Sequence, residues 1–192
     1  MTQAATLDHD LTGKMLIAMP GMGDPRFDHA VVFLCAHSAE GAMGLIVNKR
    51  MPDLLLNDML EQLEIAKGVG SEGIGVHFGG PVEGGRGFVL HSHDYCGHPG
   101  TLEIDAAFGM TATKDILVDI ARGDGPAATL TALGYSGWGP GQLESELQQN
   151  AWLTVDGDAA IVFDPDDGGK WERALKKLGI DPLMLSASGG RA

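Results

Sequence analysis

The densest set of side chains that could hold a metal ion lies within eight consecutive positions. These residues are His91, His93, Asp94, Cys96 and His98. They offer imidazole, carboxylate and thiolate donors, which suit zinc or a similar ion. Their spacing matches no standard zinc signature, and polar loops also collect histidines, so a surface loop is the competing interpretation. We therefore treat this cluster as a secondary candidate for metal binding, and we predict no bound metal or other cofactor.

Three short strings resemble catalytic or ligand-binding motifs but depart from them. Residues 134–138 resemble the turn that exposes a nucleophilic serine, yet Trp138 replaces the glycine that this turn requires. Residues 68–73 fit G-x-G-x-x-G, but they follow a predicted helix and precede a strand, which reverses the dinucleotide-binding order. Residues 164–169 resemble a calcium loop, with Leu175 where the bidentate glutamate should stand. These departures favour a non-catalytic protein.

A further candidate set consists of polar residues on glycine-rich segments. His37 follows an apolar strand and could pair with Asn48, Lys49 or Arg86 if the strand ends meet. The glycines at 79–80 and 84–85 leave the backbone beside Arg86 bare enough for a small anionic ligand to approach. Tight turns need the same glycines, and His37 could equally be a hydrogen-bonded structural residue. A ligand-binding cleft and these structural roles therefore stand as alternatives.

The composition is that of a folded, acidic chain that repels polyanions. The chain has 192 residues, of which 44% are hydrophobic, and its mean hydropathy is +0.02. Acidic residues outnumber basic ones 26 to 13, which gives a formal net charge of -13. Such a charge repels nucleic-acid phosphates and anionic lipid surfaces. Direct nucleic-acid binding and membrane association are not expected, whereas a protein partner is, and a small-molecule ligand is compatible with the charge.

The ends and the cysteines predict a cytoplasmic location. Asp8 and Asp10 occupy the region where a signal peptide would be basic and apolar. No apolar run approaches the roughly 18 residues that cross a bilayer. The two cysteines, Cys35 and Cys96, cannot form a disulfide framework, and Cys35 lies in an apolar run typical of a buried strand. A reducing compartment fits this cysteine usage.

Apolar periodicity predicts seven strands and four helices. The strands are expected at about 14–19, 30–36, 43–48, 74–78, 86–91, 129–135 and 159–163. The helices are expected from a cap at Asp53 to Lys67, from Thr111 or Thr113 to Arg122, over 142–150, and from Asp166 or Asp167 to a stop at Gly179. The short link at 37–41 favours an antiparallel hairpin.

The order of these elements predicts the fold class. It reads β-β-β-α-β-β-α-β-α-β-α, which lacks the regular alternation that builds a doubly wound parallel sheet. We therefore expect one α+β domain over residues 11–185, with a mixed, largely antiparallel β-sheet or partial barrel flanked by about four helices. Residues 1–10 and 186–192 are expected to be mobile ends.

Several long strings resemble the YqgE/AlgH family and occur in its order. They are LIAMPGMGDPRF at 16–27, GAMGLIVN at 41–48, FGGPV at 78–82, RGFVLH at 86–91, LGYSGW at 133–138 and GQLE at 141–144. The match continues through Trp152 and covers roughly residues 11–163. The resemblance implies a bacterial, cytoplasmic α+β protein. Members are often described as transcriptional regulators through an association with alginate production, and the resemblance implies no reaction.

The resemblance also selects residues for a shared binding surface or cleft. Those that fall on family motifs are His37, Asn48, Arg86, Trp138, Gln142 and Glu144. His93, Cys96 and His98 lie outside the family pattern, and Ala36 stands where the family usually has Glu.

The function predicted on these grounds is a non-catalytic regulatory or interaction protein. It would act through a protein partner, and transcription is one process it could regulate in this way. Direct DNA contact is not predicted, because no helix-turn-helix, zinc finger or basic stripe is evident. The alternative is a small-ligand-binding protein or an enzyme that uses a polar, glycine-rich cleft around His37, Asn48 and Arg86.

Overall fold

A computed structural model describes residues 10–188, which form ten strands and six helices. The strands are β1 (Lys14–Ala18), β2 (Val31–Ser38), β3 (Gly41–Ile46), β4 (Arg50–Leu55), β5 (Gly75–Phe78), β6 (Val82–Ser92), β7 (Thr101–Glu103), β8 (Phe108–Thr111), β9 (Thr129–Trp138) and β10 (Trp152–Asp156). The helices are α1 (Leu56–Gln62), α2 (Lys114–Arg122), α3 (Gln142–Gln148), α4 (Ala159–Val162), α5 (Lys170–Lys177) and α6 (Pro182–Ser188). The predicted mobile ends fall mostly outside the described residues, although α6 includes residues 186–188.

All ten strands belong to one curled sheet. Its order is β10-β1-β2-β3-β9-β6-β8-β7, and β5 joins β9 beside β4 off this path. Every pairing is antiparallel except that of β5 with β9. β2 and β3 form the hairpin that the short link predicts. The predicted fold class is therefore confirmed: one α+β domain with a mixed, largely antiparallel sheet.

Two of the irregular pairings in the sheet are those of β2 with β3 and of β6 with β9. The register shifts between Leu34 and Ala36 in β2, and between Val82 and Gly87 in β6. Such bulges increase strand twist and redirect side chains. Gly134 of β9 faces the second irregularity at φ 71°, and a Cβ there would lie 2.4 Å from the oxygen of Gly80. Only glycine fits that position without strain.

The largest apolar core lies between one face of the sheet and helix α5. Alternate sheet residues such as Ile17, Phe33 and Leu90 pack there against Trp171 and Leu175 of α5. Alternation gives each strand one such face, and helical spacing gives α5 its apolar stripe. Burying one large apolar side chain contributes roughly 1.5–3 kcal/mol. This core therefore fixes α5 against the sheet.

The opposite face of the sheet carries two smaller cores. One packs Leu143 of α3 against Trp138 and Trp152. The other packs α1 and α2 against the sheet through residues such as Leu60 and Ile120. None of the described helices has the length and apolarity needed to cross a membrane.

Three predicted helices are confirmed with small changes in their ends. α2 begins after Thr113, and Gly123 follows its last residue with φ 85°. α3 and α5 also form where apolar spacing predicts them. α1 begins at Leu56 instead of just after Asp53, because the Asp58 side chain accepts a hydrogen bond from the Leu55 N–H at 2.8 Å. It also ends at Gln62, five residues before the predicted end.

The predicted strand at 159–163 is wrong, because Ala159–Val162 forms α4. The Asp158 side chain accepts a hydrogen bond from the Ala160 N–H at 2.9 Å, which caps a helix start. A five-residue apolar run does not distinguish a strand from a buried helix. The last strand is instead β10, which pairs with β1. The prediction also omits β4, β7, β8 and α6.

Candidate functional site

Four of the six predicted site residues meet where α3 packs on the sheet: His37, Trp138, Gln142 and Glu144. The His37 ring is 8% exposed, and its Nδ1 accepts a hydrogen bond from the Leu11 N–H at 3.0 Å. Its Nε2 lies 2.6 Å from Oε1 of Glu144 on α3. Because Nδ1 accepts, the neutral ring carries its proton on Nε2 and donates it to Glu144. Both ring nitrogens are therefore engaged in holding α3 and the segment before β1.

The contact between His37 and Glu144 also perturbs the carboxylate. The hydrogen bond from His37 lowers the pKa of Glu144 below its ordinary value, and a backbone hydrogen bond adds to the effect. Glu144 thus remains a carboxylate, an acceptor with no proton to give.

The other two members of this group, Gln142 and Trp138, both bond to the Glu146 side chain of α3. Gln142 accepts a hydrogen bond from the Gly139 N–H at 3.0 Å and donates one to Oε1 of Glu146 at 3.2 Å. Oε2 of Glu146 accepts from the indole N–H groups of Trp138 and Trp152, each at 2.8 Å. The sequence prediction misses Glu146, although its spacing of four residues from Gln142 on a helix is a signal.

Arg86, the fifth predicted residue, lies at an open cleft beside the β2–β3 hairpin. We call this the hairpin cleft and define it by Ala36, Met43, Arg86, Phe88, Tyr135 and Trp138; its volume is about 690 Å³. The Arg86 guanidinium lies 5.2 Å from the centre of the Phe88 ring. It also pairs with Glu83 at 3.5 Å, with both side chains more than half exposed. His37 lines the same cleft, but its ring nitrogens have the partners described above.

Asn48, the sixth predicted residue, lies in a different cleft. Its Oδ1 accepts from the Val31 N–H at 2.9 Å, and its amide donates to the oxygen of His29 at 2.8 Å. These bonds hold His29 at φ 54°, where its ring lies 4.5 Å from that of Trp171. The cleft around Asn48 and Trp171 has a volume of about 690 Å³. The structure therefore separates Asn48 from the other five residues.

The cluster at 91–98 makes contacts within the protein. His91 is fully buried, with Nδ1 2.8 Å from the oxygen of Ser92 and Nε2 2.9 Å from Oγ1 of Thr111. Burial lowers the pKa of His91, which favours the neutral ring. Three of the four remaining members contact other groups: His93 with Glu103, Asp94 with the Ala127 N–H, and His98 with the Tyr95 ring. Within residues 10–188, no group of three or more His, Cys, Asp or Glu side chains is arranged to hold a metal.

The motif-like strings have structural roles as well. Ser136 is fully buried in β9 and donates to the oxygen of Gly79 at 3.1 Å. Gly70 lies against α2, where a Cβ would be 2.0 Å from the oxygen of Ile120. Asp164 pairs with Arg173 of α5 at 2.6 Å. A strand-to-loop hydrogen bond, close helix packing and an ion pair therefore account for these residues.

Neither cysteine is poised as a nucleophile. Cys35 is buried, and desolvation raises the pKa of its thiol to about 12. Burial also raises the pKa of Cys96, and the nearby Glu103 and Asp94 add to the effect. Since the thiolate is the reactive form, both thiols are held in the unreactive state.

A buried polar cluster that the sequence prediction misses joins α5 to the sheet. Lys170 is 1% exposed, and its ammonium donates to the oxygens of Val47 and Val162 at 2.7 and 2.8 Å. It also pairs with Asp167 at 2.7 Å, and His77 Nε2 lies 3.0 Å from the same carboxylate. Burial acts to raise the pKa of Asp167, but the hydrogen bonds from His77 and Lys170 outweigh it and lower the pKa. All three ammonium hydrogens are thus used structurally.

Comparisons with known proteins agree with the resemblance in the sequence. The AlgH-like family profile, DUF179, matches residues 15–183. A UPF0301 protein of Ruegeria pomeroyi is 61% identical over 184 residues, and one of Cereibacter sphaeroides is 56% identical over 183; each alignment covers 95% of this chain and 100% of the relative.

Two solved structures share the fold. The solution structure of the AlgH protein from Pseudomonas aeruginosa is 40% identical, with a TM-score of 0.79 and full coverage of both chains. The crystal structure of a Corynebacterium diphtheriae protein has a TM-score of 0.72 at 17% identity, covering 93% of this chain and 91% of that one, and it shows the fold alone. On the family profile and these identities, the chain belongs to the AlgH-like family.

Proposed function

We propose that this chain is a non-catalytic regulatory protein that binds a protein partner at the hairpin cleft. The observation that carries the proposal is the composition of that cleft, where Arg86 lies over Phe88 beside Met43, Tyr135 and Trp138. Tyrosine, tryptophan and arginine are enriched among the residues that supply most of the binding energy of protein interfaces. Any effect on transcription would pass through the partner.

The chemistry of the neighbouring polar residues supports a non-catalytic role. Both nitrogens of His37 are used in fixing α3, and Glu144 is the acceptor of one of those bonds. A general acid or base needs a free position that faces a reacting group. Asn48, which the enzyme alternative places beside His37 and Arg86, lines another cleft. This distribution favours the interaction function over the small-ligand or enzyme alternative.

The cleft also indicates the chemistry of the partner. An apolar side chain of the partner would contact Phe88, Met43 and Tyr135, and a carboxylate would pair with Arg86. Arg86 already pairs with Glu83 at 3.5 Å, and both side chains are exposed to solvent. Such exposed ion pairs contribute little to stability, so a carboxylate of the partner can replace Glu83. The proposal includes a cytoplasmic location, because both cysteines are free thiols, as a reducing compartment allows.

The test is affinity capture from the native cell with a charge-reversed cleft. We expect one stoichiometric partner with the wild-type protein and its loss with Arg86→Glu, because the reversal repels the partner carboxylate. Arg122→Glu is the matched control, since Arg122 is an exposed arginine of α2 outside the cleft. Repeated captures without a stoichiometric partner, or equal recovery with both variants, would contradict the proposal.

A further inference from the structure

A separate, more enclosed cleft lies between α1, α2 and the sheet. We call it the helix cleft and define it by Met59, Leu63, Gly87, Val89, Leu117 and Leu133; its volume is about 360 Å³. That volume falls within the range of small-molecule sites, which are concave and mostly apolar. The helix cleft thus has the size and lining of a site for a compact apolar group.

Gly87 of β6 keeps the floor of this cleft open. A Cβ at Gly87 would lie 3.4 Å from the terminal methyl of Met59 and 3.9 Å from a methyl of Leu133. These are ordinary contact distances, so a side chain at position 87 would occupy the space between Met59 and Leu133 without displacing backbone. The empty space there follows from the glycine itself.

The floor also holds a polar group that lacks a partner. Thr131 pairs with Val89 across the sheet, so its side chain lies on the same face as the apolar lining. Thr131 is 1% exposed, and its hydroxyl has no hydrogen-bond partner within residues 10–188. The hydroxyl oxygen itself is covered, so it belongs to the floor of the cleft and is assigned no contact with a ligand.

The rim of the cleft is cationic on the α2 side. Lys114 is the first residue of α2, is exposed, and forms no ion pair within the described part of the chain. The preceding Thr113 makes no side-chain cap, so the N–H groups of the first turn remain available to an anion. Arg86 also lines the cleft but pairs with Glu83, and Asp115 lines a different depression with Arg122.

We propose that the helix cleft binds a small carboxylic acid with an apolar body. The body packs against Met59, Leu117 and Leu133 above Gly87, and the carboxylate pairs with Lys114 at the start of α2. Charge complementarity selects an acid over a neutral or cationic analogue. The helix cleft shares Arg86 and Phe88 with the hairpin cleft, but the contacts assigned to the acid, which are those with Met59, Leu117, Leu133 and Lys114, lie outside the hairpin cleft. Binding of the acid therefore does not depend on the partner-binding function proposed above.

Titration calorimetry with octanoate and octanol tests the site in the full-length chain. Octanoate is expected to bind saturably and more tightly than octanol. Gly87→Leu is expected to abolish octanoate binding, because the new side chain fills the floor. Gly84→Leu is the matched control, since it adds the same side chain to β6 where a Cβ meets no atom within 4 Å and outside the cleft. If Gly87→Leu does not fold, Gly87→Ala is expected to weaken binding by partly filling the same space.

The role of Lys114 is tested with the same two probes. Lys114→Ala is expected to weaken octanoate binding about two- to fivefold, the range of an exposed ion pair, and to leave octanol binding unchanged. Lys176→Ala, on the exposed side of α5, is the control. The proposal is overturned if octanoate does not bind, if it binds no better than octanol, or if the Gly87 variants bind it as the wild type does. Failure here would leave capture of the partner at the hairpin cleft unaffected.

Discussion

Glu146 of α3 accepts hydrogen bonds from two tryptophan indoles at once. Trp138 and Trp152 are 7% and 3% exposed, so removing the carboxylate leaves two buried N–H groups without a partner. We expect Glu146→Ala to lower the free energy of unfolding by about 2–4 kcal/mol. Urea denaturation followed by tryptophan fluorescence measures this, with Gln148→Ala, an exposed residue of α3, as the control. Equal midpoints for the two variants would contradict the role given to Glu146.

The hydrogen bond between His37 and Glu144 predicts a pH dependence at the acid side. The pKa of Glu144 is lower in the folded protein than its ordinary value of 4.5. The ionised carboxylate of Glu144 therefore stabilises the folded protein fully at pH values above 4.5. This stabilisation is lost as the pH falls through the lowered folded pKa. Glu144→Gln should therefore lose less stability than the wild type when the pH is lowered below about 4.5. Thermal unfolding across that range is the measurement, and parallel curves for the two proteins would refute it.

The residues of the α3 contact could be selected from the sequence, but their partners could not. His37 and Glu144 lie 107 positions apart, and only the folded sheet brings them together. Residue type and motif context select these polar residues, but they do not distinguish a residue that anchors a helix from one that binds a ligand. The same limit applies to Lys170, whose burial has no local signal because lysine is normally exposed.

At the scale of elements, α5 is attached to the sheet by an apolar stripe and by one buried ammonium. Lys170→Met keeps the apolar stem but leaves the oxygens of Val47 and Val162 without their ammonium donor, and it leaves the carboxylate of Asp167 with His77 as its partner in place of the ion pair. Breaking a buried ion pair by removing one partner typically costs about 3–5 kcal/mol. We expect that loss in chemical denaturation. Lys176→Met, on the exposed side of the same helix, should change little, and similar losses for both would count against the role of the buried ammonium.

The elements with long apolar periodicity were predictable, and the short ones were not. α2 has an apolar stripe, a threonine at position 113 just before its first residue and a glycine at position 123 just after its last, three sequence signals that agree. β7 has only three residues, and β4 contains Pro52, which weakens a strand prediction. α4 spans four apolar residues, and its helical state depends on the cap at Asp158. Short elements take their conformation from tertiary contacts, which a local pattern does not contain.

At the scale of the whole molecule, much of the basic charge is already neutralised. Seven lysine and arginine side chains pair with carboxylates: Lys14, Arg26, Lys67, Arg86, Lys170, Arg173 and Lys177. Within residues 10–188, those without such a pair are Lys49, Arg50, Lys114, Arg122 and Lys176, which lie at or before β4, on α2 and on α5. Scattered cations on a chain of net charge -13 do not form the continuous basic surface that a duplex requires.

This charge distribution predicts that the chain does not bind duplex DNA directly at physiological ionic strength. Each phosphate contact would have to overcome the repulsion of the surrounding carboxylates, and binding driven by phosphates weakens steeply as salt rises. Fluorescence anisotropy of a labelled promoter duplex should therefore stay flat as protein is added, both at low salt and at physiological salt. Saturable binding whose affinity falls as salt rises would contradict this prediction. If that binding were lost in the double variant Lys49→Ala/Arg50→Ala, the DNA contact would lie at these two residues, which are neighbours in the sequence and form no ion pair with a carboxylate in the described chain. A regulatory effect on transcription would then be direct, and the partner proposed for the hairpin cleft would no longer be needed to explain it.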